Sequence, residues 1–167
     1  MDAYQTSLSR RSIRRYKPDP VPHELVLKVL EAGRLAPTAR NEQPWQFVVI
    51  TDAQRRRELA DLTDYGKFIA DAPVCIVVLC KPTKYYLEDG SAAITQMMLA
   101  ATALGPGSCW VAGDKKTYAG HIVQFCGAPA HYKLVALMAL GYPAETPTPQ
   151  KRPLDEIVRW DSPARTS

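Results

Sequence analysis

At 167 residues the chain has the length of one domain and is long enough to bury a core; 46% of its residues are hydrophobic and 23% charged, as in an ordinary globular protein. The formal charge of +4 is mild and gathers at residues 10–15 and 55–57. With no long basic stripe, no aromatic stacking platform and no apolar stretch of membrane-spanning length, neither nucleic acid nor a membrane is an expected partner.

The first feature is the run Arg10-Arg11-Ser12-Ile13-Arg14-Arg15. Arginine presents a rigid fork of donors that matches phosphate oxygens, and a serine among arginines adds a neutral donor. The run is equipped to cradle one phosphate; read alone it is equally a solvated basic face anchored by Ile13. Pro22 then suits a first helical turn, and Leu25, Val26, Val29, Leu30, Ala32 and Ala36 recur at helical spacing, which predicts a helix over 23–36 that Pro37 ends. The segment 36–45 follows, rich in amides and hydroxyls. Asn41 and Gln43 each carry a donor and an acceptor, suited to the polar edge of a heterocycle; an ordinary turn is the alternative.

A strand is predicted over 46–51, a helix over 53–62, a short turn near Lys67 and Phe68, and a strand over 74–80. Arg55, Arg56 and Arg57 lie on the helix among Glu58 and Asp61 and read as a solvated face. A helix over 89–105 is apolar almost all round, which calls for burial on every side; in so small a chain a second subunit supplies the natural cover, and a central place within one subunit is the alternative. A strand near 108–111, a helix near 115–126 and a strand over 132–141 complete the core. This alternation argues an α+β or α/β three-layer architecture.

Residues 142–167 differ in kind. Prolines at 143, 147, 149, 153 and 163 prevent a compact unit and suit an extended arm laid on another surface. Cys75, Cys80, Cys109 and Cys126 form no CxxC pair and are expected as free thiols, three of them in apolar surroundings. His23, His121 and His131 lack ligand spacing, so no metal is expected. Gly105 and Gly107 do not open a GxGxxG motif, because Trp110 stands at the third glycine, and no Rossmann site is expected. No basic-then-apolar leader is visible, which reads as cytoplasmic.

Four segments taken together bear a resemblance. Arg-Arg-Ser-Ile-Arg from Arg10, Ala36-Pro37-Thr38-Ala39-Arg40-Asn41-Glu42-Gln43-Pro44-Trp45, Asp89-Gly90-Ser91-Ala92-Ala93 running into Gly105-Pro106-Gly107-Ser108-Cys109-Trp110-Val111-Ala112-Gly113, and Leu140-Gly141-Tyr142-Pro143 followed by Lys151-Arg152-Pro153-Leu154 come in the order of the FMN-dependent nitroreductase family. The chain resembles the small members of that family, of about 170 residues.

The resemblance implies an α+β fold, a three-layer α/β/α sandwich with a mostly antiparallel central sheet, in an intertwined homodimer. Residues 1–141 would form the FMN-binding domain, and residues 142–167 an arm of the same domain packed on the partner subunit. It implies that Arg10, Ser12 and Arg14 hold the FMN phosphate and ribityl chain, that Arg11 contributes mainly main chain, and that Lys151 and Arg152 complete the phosphate site. Pro37, Thr38, Ala39, Asn41 and Gln43 would form the loop that reaches the flavin, commonly from the other subunit, and Ala112 and Gly113 the loop whose backbone approaches flavin N5.

Some positions depart from larger relatives. The stretch between Trp45 and Asp89 lacks their helical insertion, Tyr65 and Phe68 stand where they carry an Asn and a Lys at the pyrimidine edge, with Lys67 nearby as a substitute, and Ala112 replaces an acidic residue of some members.

The activity implied is oxidation of NADH or NADPH through FMN and reduction of a small electron-poor acceptor, a nitroaromatic or a quinone, by a ping-pong mechanism. The cofactor carries the chemistry and no residue is singled out as acid, base or nucleophile. The alternatives are a dehalogenating or flavin-fragmenting relative, an FMN store or sensor without turnover, and an Arg-rich surface for an acidic partner with no flavin.

Overall fold

The long apolar run Val74–Cys80 forms the spine of the molecule. A computed structural model describes residues 2–161; Met1 and the last six residues, Pro163 among them, lie outside the described residues. The run is strand β2, buried at all seven positions. It lies between β1 (Trp45–Ile50) and β4 (Lys133–Gly141), and β3 (Gly107–Ala112) lies beyond β4. The order is β1-β2-β4-β3, and every pairing is antiparallel. In the β2–β4 ladder Val78 faces Ala136 while the next residue, Leu79, faces Leu134, a bulge that leaves Val135 unpaired.

A strand buried on both faces needs cover on both faces. On one side Val74, Ile76, Val78 and Cys80 meet helices α2 (His23–Arg34) and α4 (Tyr86–Leu104) through Val26, Val29, Ile94 and Met97. On the other, Cys75, Val77 and Leu79 meet α3 (Ala53–Leu62), α5 (Ala119–Phe125) and the 3₁₀ turn Lys67–Ala70 through Leu59, Ile69 and Ile122. The α/β/α sandwich expected from the sequence is this arrangement. Among the described residues no helix is long and apolar enough to cross a membrane.

Element ends follow local chemistry. Asp52 caps α3 by accepting the Arg55 amide at 2.8 Å. Helix α4 begins a turn before Asp89, so Glu88 and Asp89 lie in its first turn, facing the positive helix end. It stops at Gly105, whose φ of +111° suits glycine. Helix α5 starts at Ala119 and not at 115, because the preceding residues turn, with the Lys116 amide bonded to the Gly113 carbonyl at 3.1 Å.

Two short helices escape a reading of periodicity. Helix α1 (Ala3–Ser9) is capped by the Asp2 carboxylate, which accepts the Gln5 amide at 2.8 Å. Helix α6 (Leu154–Ile157) interrupts the arm. Of the basic cluster on α3, Arg55 and Arg57 are exposed, as the solvated face expected, and Arg56 is half-buried. Arg55 donates to the Phe125 carbonyl at 3.1 Å and lies over the Phe125 ring, and Arg56 donates to the Thr51 carbonyl.

Gly90 lets α4 lie close against the sheet. A Cβ there would stand 2.6 Å from Val135 Cγ2 and 3.1 Å from Cys80 Sγ, both buried. Gly120 in α5 has nothing within 4 Å of that position. Gly90→Ala is therefore expected to lower stability by about 1–2 kcal/mol through overpacking, while Gly120→Ala raises it by about 0.5–1 kcal/mol through helix propensity. Urea midpoints of the two variants check both signs.

Candidate functional site

The basic run lies along the outer edge of β3. Ile13, 5% exposed, is its anchor, and its amide donates to the Ser108 carbonyl at 2.9 Å. Ser12 bridges Ser108 in parallel. Gly107 leaves the room Ile13 occupies, since a Cβ there would meet Ile13 Cγ1 at 2.5 Å. Tyr16 donates its hydroxyl to the Ile13 carbonyl at 2.5 Å. Beside Ile13, Ser12 is half-buried and Arg14 exposed.

The start of the arm returns to this run. Pro143 bridges Tyr16, the Ala144 amide donates to the Arg15 carbonyl at 2.9 Å, and Glu145 Oε1 accepts the amides of Arg14 at 2.6 Å and Arg15 at 3.1 Å. The acid that organises the run is thus on the arm and binds main chain, which leaves the guanidinium groups of Arg10 and Arg14 available. Beyond it the chain carries Pro147, Pro149 and Lys151 to a cavity of about 430 Å³ also lined by Ser7, Leu8, Arg10, Arg11, Ser12 and Arg14. Arg152 is exposed and does not line it. The Arg11 guanidinium turns back, donating to the carbonyls of Leu8 at 2.7 Å and Arg10 at 2.9 Å.

The other expected positions stand apart from this cavity. Pro37, Asn41 and Gln43 are exposed and Thr38 and Ala39 half-buried. Arg40, Asn41 and Gln43 have φ of 56°, 57° and 47°, the left-handed region that non-glycine residues enter at a cost. Inside the loop the Gln43 amide donates to Thr38 Oγ1 at 3.3 Å, and Gln43 Nε2 to Asn41 Oδ1 at 3.1 Å. The Ala39 amide donates to Asp89 Oδ1 of α4 at 3.0 Å.

Ala112 and Gly113 close the far end of β3, about 13 Å of strand beyond Ser108 at the usual rise per residue. Tyr118 donates its hydroxyl to the Ala112 carbonyl at 2.5 Å, and Gly113 is pressed against Leu134 and the Val135 carbonyl. Nearby, Lys116 pairs with Asp64 at 3.1 Å and lies over the ring of Tyr65, which is 83% exposed. Strand β3 thus joins a basic cavity at its start to a polar rim at its end. Lys67 donates to the carbonyls of Ala60 and Asp61 at the end of α3, both at 3.1 Å. Phe68 lies under Arg14.

Titratable groups offer little reactive chemistry here. Burial pushes the Cys109 thiol up, against the opposing pull of Arg14, a hydrogen bond from Ser12, and Arg10. Burial takes Cys80 up to about 12. All four cysteines are free. Among the described residues no group of His, Cys, Asp and Glu is arranged to hold a metal ion. Glu145, Asp89, Tyr118 and Lys116 have structural parts at the site that sequence reasoning missed. Asp89 alone had a signal, as the first polar residue of the third motif.

The fold has known counterparts. A family model described as the Nitroreductase family matches residues 8–64 and 63–142. A Thermus thermophilus protein named NADH dehydrogenase is 30% identical over an alignment 202 positions long, which covers 96% of this chain and 96% of that protein. The structure of an FMN-dependent nitroreductase from Clostridium difficile R20291 matches with a TM-score of 0.87 and 28% identity, over 92% of this chain and 95% of that one. A Desulfovibrio desulfuricans chain solved in complex with FMN matches with a TM-score of 0.87 and 33% identity, over 98% of this chain and 99% of that one.

The tie through Glu145 has a measurable consequence. Glu145→Ala removes the acceptor of two main-chain amides and is expected to loosen the arm by about 1.5 kcal/mol, a low value for charge-assisted bonds because the site is exposed. Trypsin should then cut after Lys151 about tenfold faster than in the parent chain, by the same free energy converted to a rate. Unchanged cleavage would show that the arm is held by other contacts.

Proposed function

The chain belongs to the nitroreductase family, and from that premise we infer that it is an FMN-dependent oxidoreductase that draws electrons from NAD(P)H; we propose that it delivers them to a small electron-poor acceptor, a nitroaromatic or a quinone. The observation that carries the reading on this chain's own residues is the convergence of Arg10, Ser12, Arg14 and Lys151, from both ends of the sequence, on one cavity. The residues fit a terminal monophosphate. Arg10, Arg14 and Lys151 neutralise its charge, Ser12 supplies a neutral donor, and Arg152 is close enough in sequence to add to the field at the mouth.

FAD has no terminal phosphate to match this clamp, so FMN is the form expected. When bound, FMN supplies the two-electron chemistry, taking a hydride and passing the electrons on. The chain's own residues bind and orient it. Thr38, Ala39, Asn41 and Gln43, with the exposed Pro37 at the loop's start, offer amide and hydroxyl groups to the polar edge of the ring. Gly113 and Ala112 offer main chain. Lys116, held by Asp64 beside Tyr65, supplies the cation at that end in the place considered for Lys67.

We also propose a homodimer. Ala92, Thr95, Leu99 and Ala103 share the face of α4 that the chain itself leaves half-buried or exposed. On the arm, Leu154, Ile157 and Trp160 are 71%, 52% and 84% exposed. A second copy of the chain covers both surfaces and brings its loop 38–43 to the cavity of the first. The arm's stripe then lies on the partner, as the domain reading of residues 142–167 expects. The free thiols suit the reducing cytoplasm.

Two measurements test the reading. Arg14→Ala should weaken FMN binding by about 1.5–3 kcal/mol, while Arg57→Ala, on the solvated face of α3, leaves it unchanged. Equal losses at both positions would remove the clamp. Donor and acceptor share one open site and occupy it in turn, because the chain has no second nucleotide-binding motif. Double-reciprocal plots with both substrates varied should therefore be parallel; intersecting lines would require two sites.

A further inference from the structure

We infer that Asp89 is a positioning residue: its buried carboxylate holds loop 38–43 in the shape in which that loop meets the flavin ring. The inference rests on the FMN reading and assigns a role within it to a residue that does not itself touch the cofactor.

Asp89 is 4% exposed. Its Oδ1 accepts the Ala39 amide at 3.0 Å across fifty residues of sequence, and its Oδ2 is buried without any hydrogen-bond partner. A carboxylate in that condition is costly to bury, and an apolar side chain of similar shape would be cheaper there. What the carboxylate provides is a strong acceptor at a defined place. That place is set by the neighbouring residue: Gly90 presses α4 against Val135 and Cys80 and fixes the height of the helix on the sheet.

The loop it reaches needs such a tie. Three of its residues, Arg40, Asn41 and Gln43, hold left-handed φ angles without being glycine, at roughly 1 kcal/mol or more each. Two of the bonds inside the loop are long, the Asn41 amide on the Thr38 carbonyl and the Gln43 amide on Thr38 Oγ1, both at 3.3 Å, while the Glu42 amide on the Ala39 carbonyl at 3.1 Å starts from the tethered residue itself. A charge-assisted bond at Ala39, the first residue of the 3₁₀ turn Ala39–Asn41, fixes the loop where the left-handed turn begins. Freed from it, the loop relaxes toward unstrained angles, and Asn41 and Gln43 lose their common direction.

The test compares Asp89→Ala, Asp89→Asn, Ala39→Pro and Arg14→Ala by amide hydrogen exchange without added flavin and by titration with FMN and with riboflavin, which lacks the phosphate. In Asp89→Ala, exchange across residues 39–43 should rise about tenfold while β2 stays protected, and FMN and riboflavin should both weaken by about the same tenfold, the worth of one net hydrogen bond. The visible band of the bound flavin should move toward that of free flavin. Asp89→Asn keeps an amide oxygen for the Ala39 donor and should stay within about threefold of the parent for both ligands. Ala39→Pro removes the donor and leaves Asp89 intact; it should reproduce Asp89→Ala, and carries the test if that variant fails to fold. Arg14→Ala should weaken FMN and spare riboflavin.

The inference is overturned if the loop exchanges no faster in Asp89→Ala, if that variant loses FMN but keeps riboflavin, or if Asp89→Asn fails alongside it. A parent protein that takes up neither flavin, with the loop still opening in Asp89→Ala, defeats the FMN reading itself, and with it the service assigned to Asp89.

Discussion

The constraint on which the rest of this structure depends is the double-sided burial of β2 and β4. Every position of β2 and all but the first of β4 are closed off by helices on both faces. Nothing polar can be placed in the middle of such a sheet without the cost of burying it unpaired. Polar chemistry is therefore displaced to the margins: the outer edge and two ends of β3, the turn into β1, and the first turn of α4. Each functional segment is attached to the core through a single inward residue or a tight glycine. Ile13 anchors the basic run, Gly107 and Gly113 admit close neighbours at the two ends of β3, and Gly90 seats α4.

Attachment at the margins explains what could be read from the sequence. β2 was legible because an unbroken apolar run of that length has few other uses. The four motifs were legible as a set because each carries its chemistry in adjacent residues. Ties between distant residues were not. Glu145 looks like a solvated acid in a proline-rich tail until it is found on the amides of Arg14 and Arg15. Arg56 looks solvated until the Thr51 carbonyl takes its guanidinium. Lys67 looks free until the end of α3 takes its ammonium. α1 escaped notice because a short, mostly polar helix has no stripe to show, only its Asp2 cap.

The shape of loop 38–43 is the clearest case of tertiary structure overriding local preference. Nothing in Ala-Arg-Asn-Glu-Gln demands left-handed backbone at three positions, although Asn tolerates it better than most. The strain is sustained from outside, through α4. The loop is consequently among the weaker parts of the molecule, exposed and held by few bonds, while the helix that steadies it is among the firmest. A site assembled from one rigid wall and one strained, tethered loop can keep its geometry and still admit ligands of different outline.

The hydrogen bond between the Arg14 amide and Glu145 spans 131 positions of the sequence. Closing a loop of that length is entropically costly unless the sheet has already brought its ends together, as the bridge between Tyr16 and Pro143 shows that it does. The grip on an anion therefore depends on an intact core, and whatever loosens the sheet opens the cavity as well.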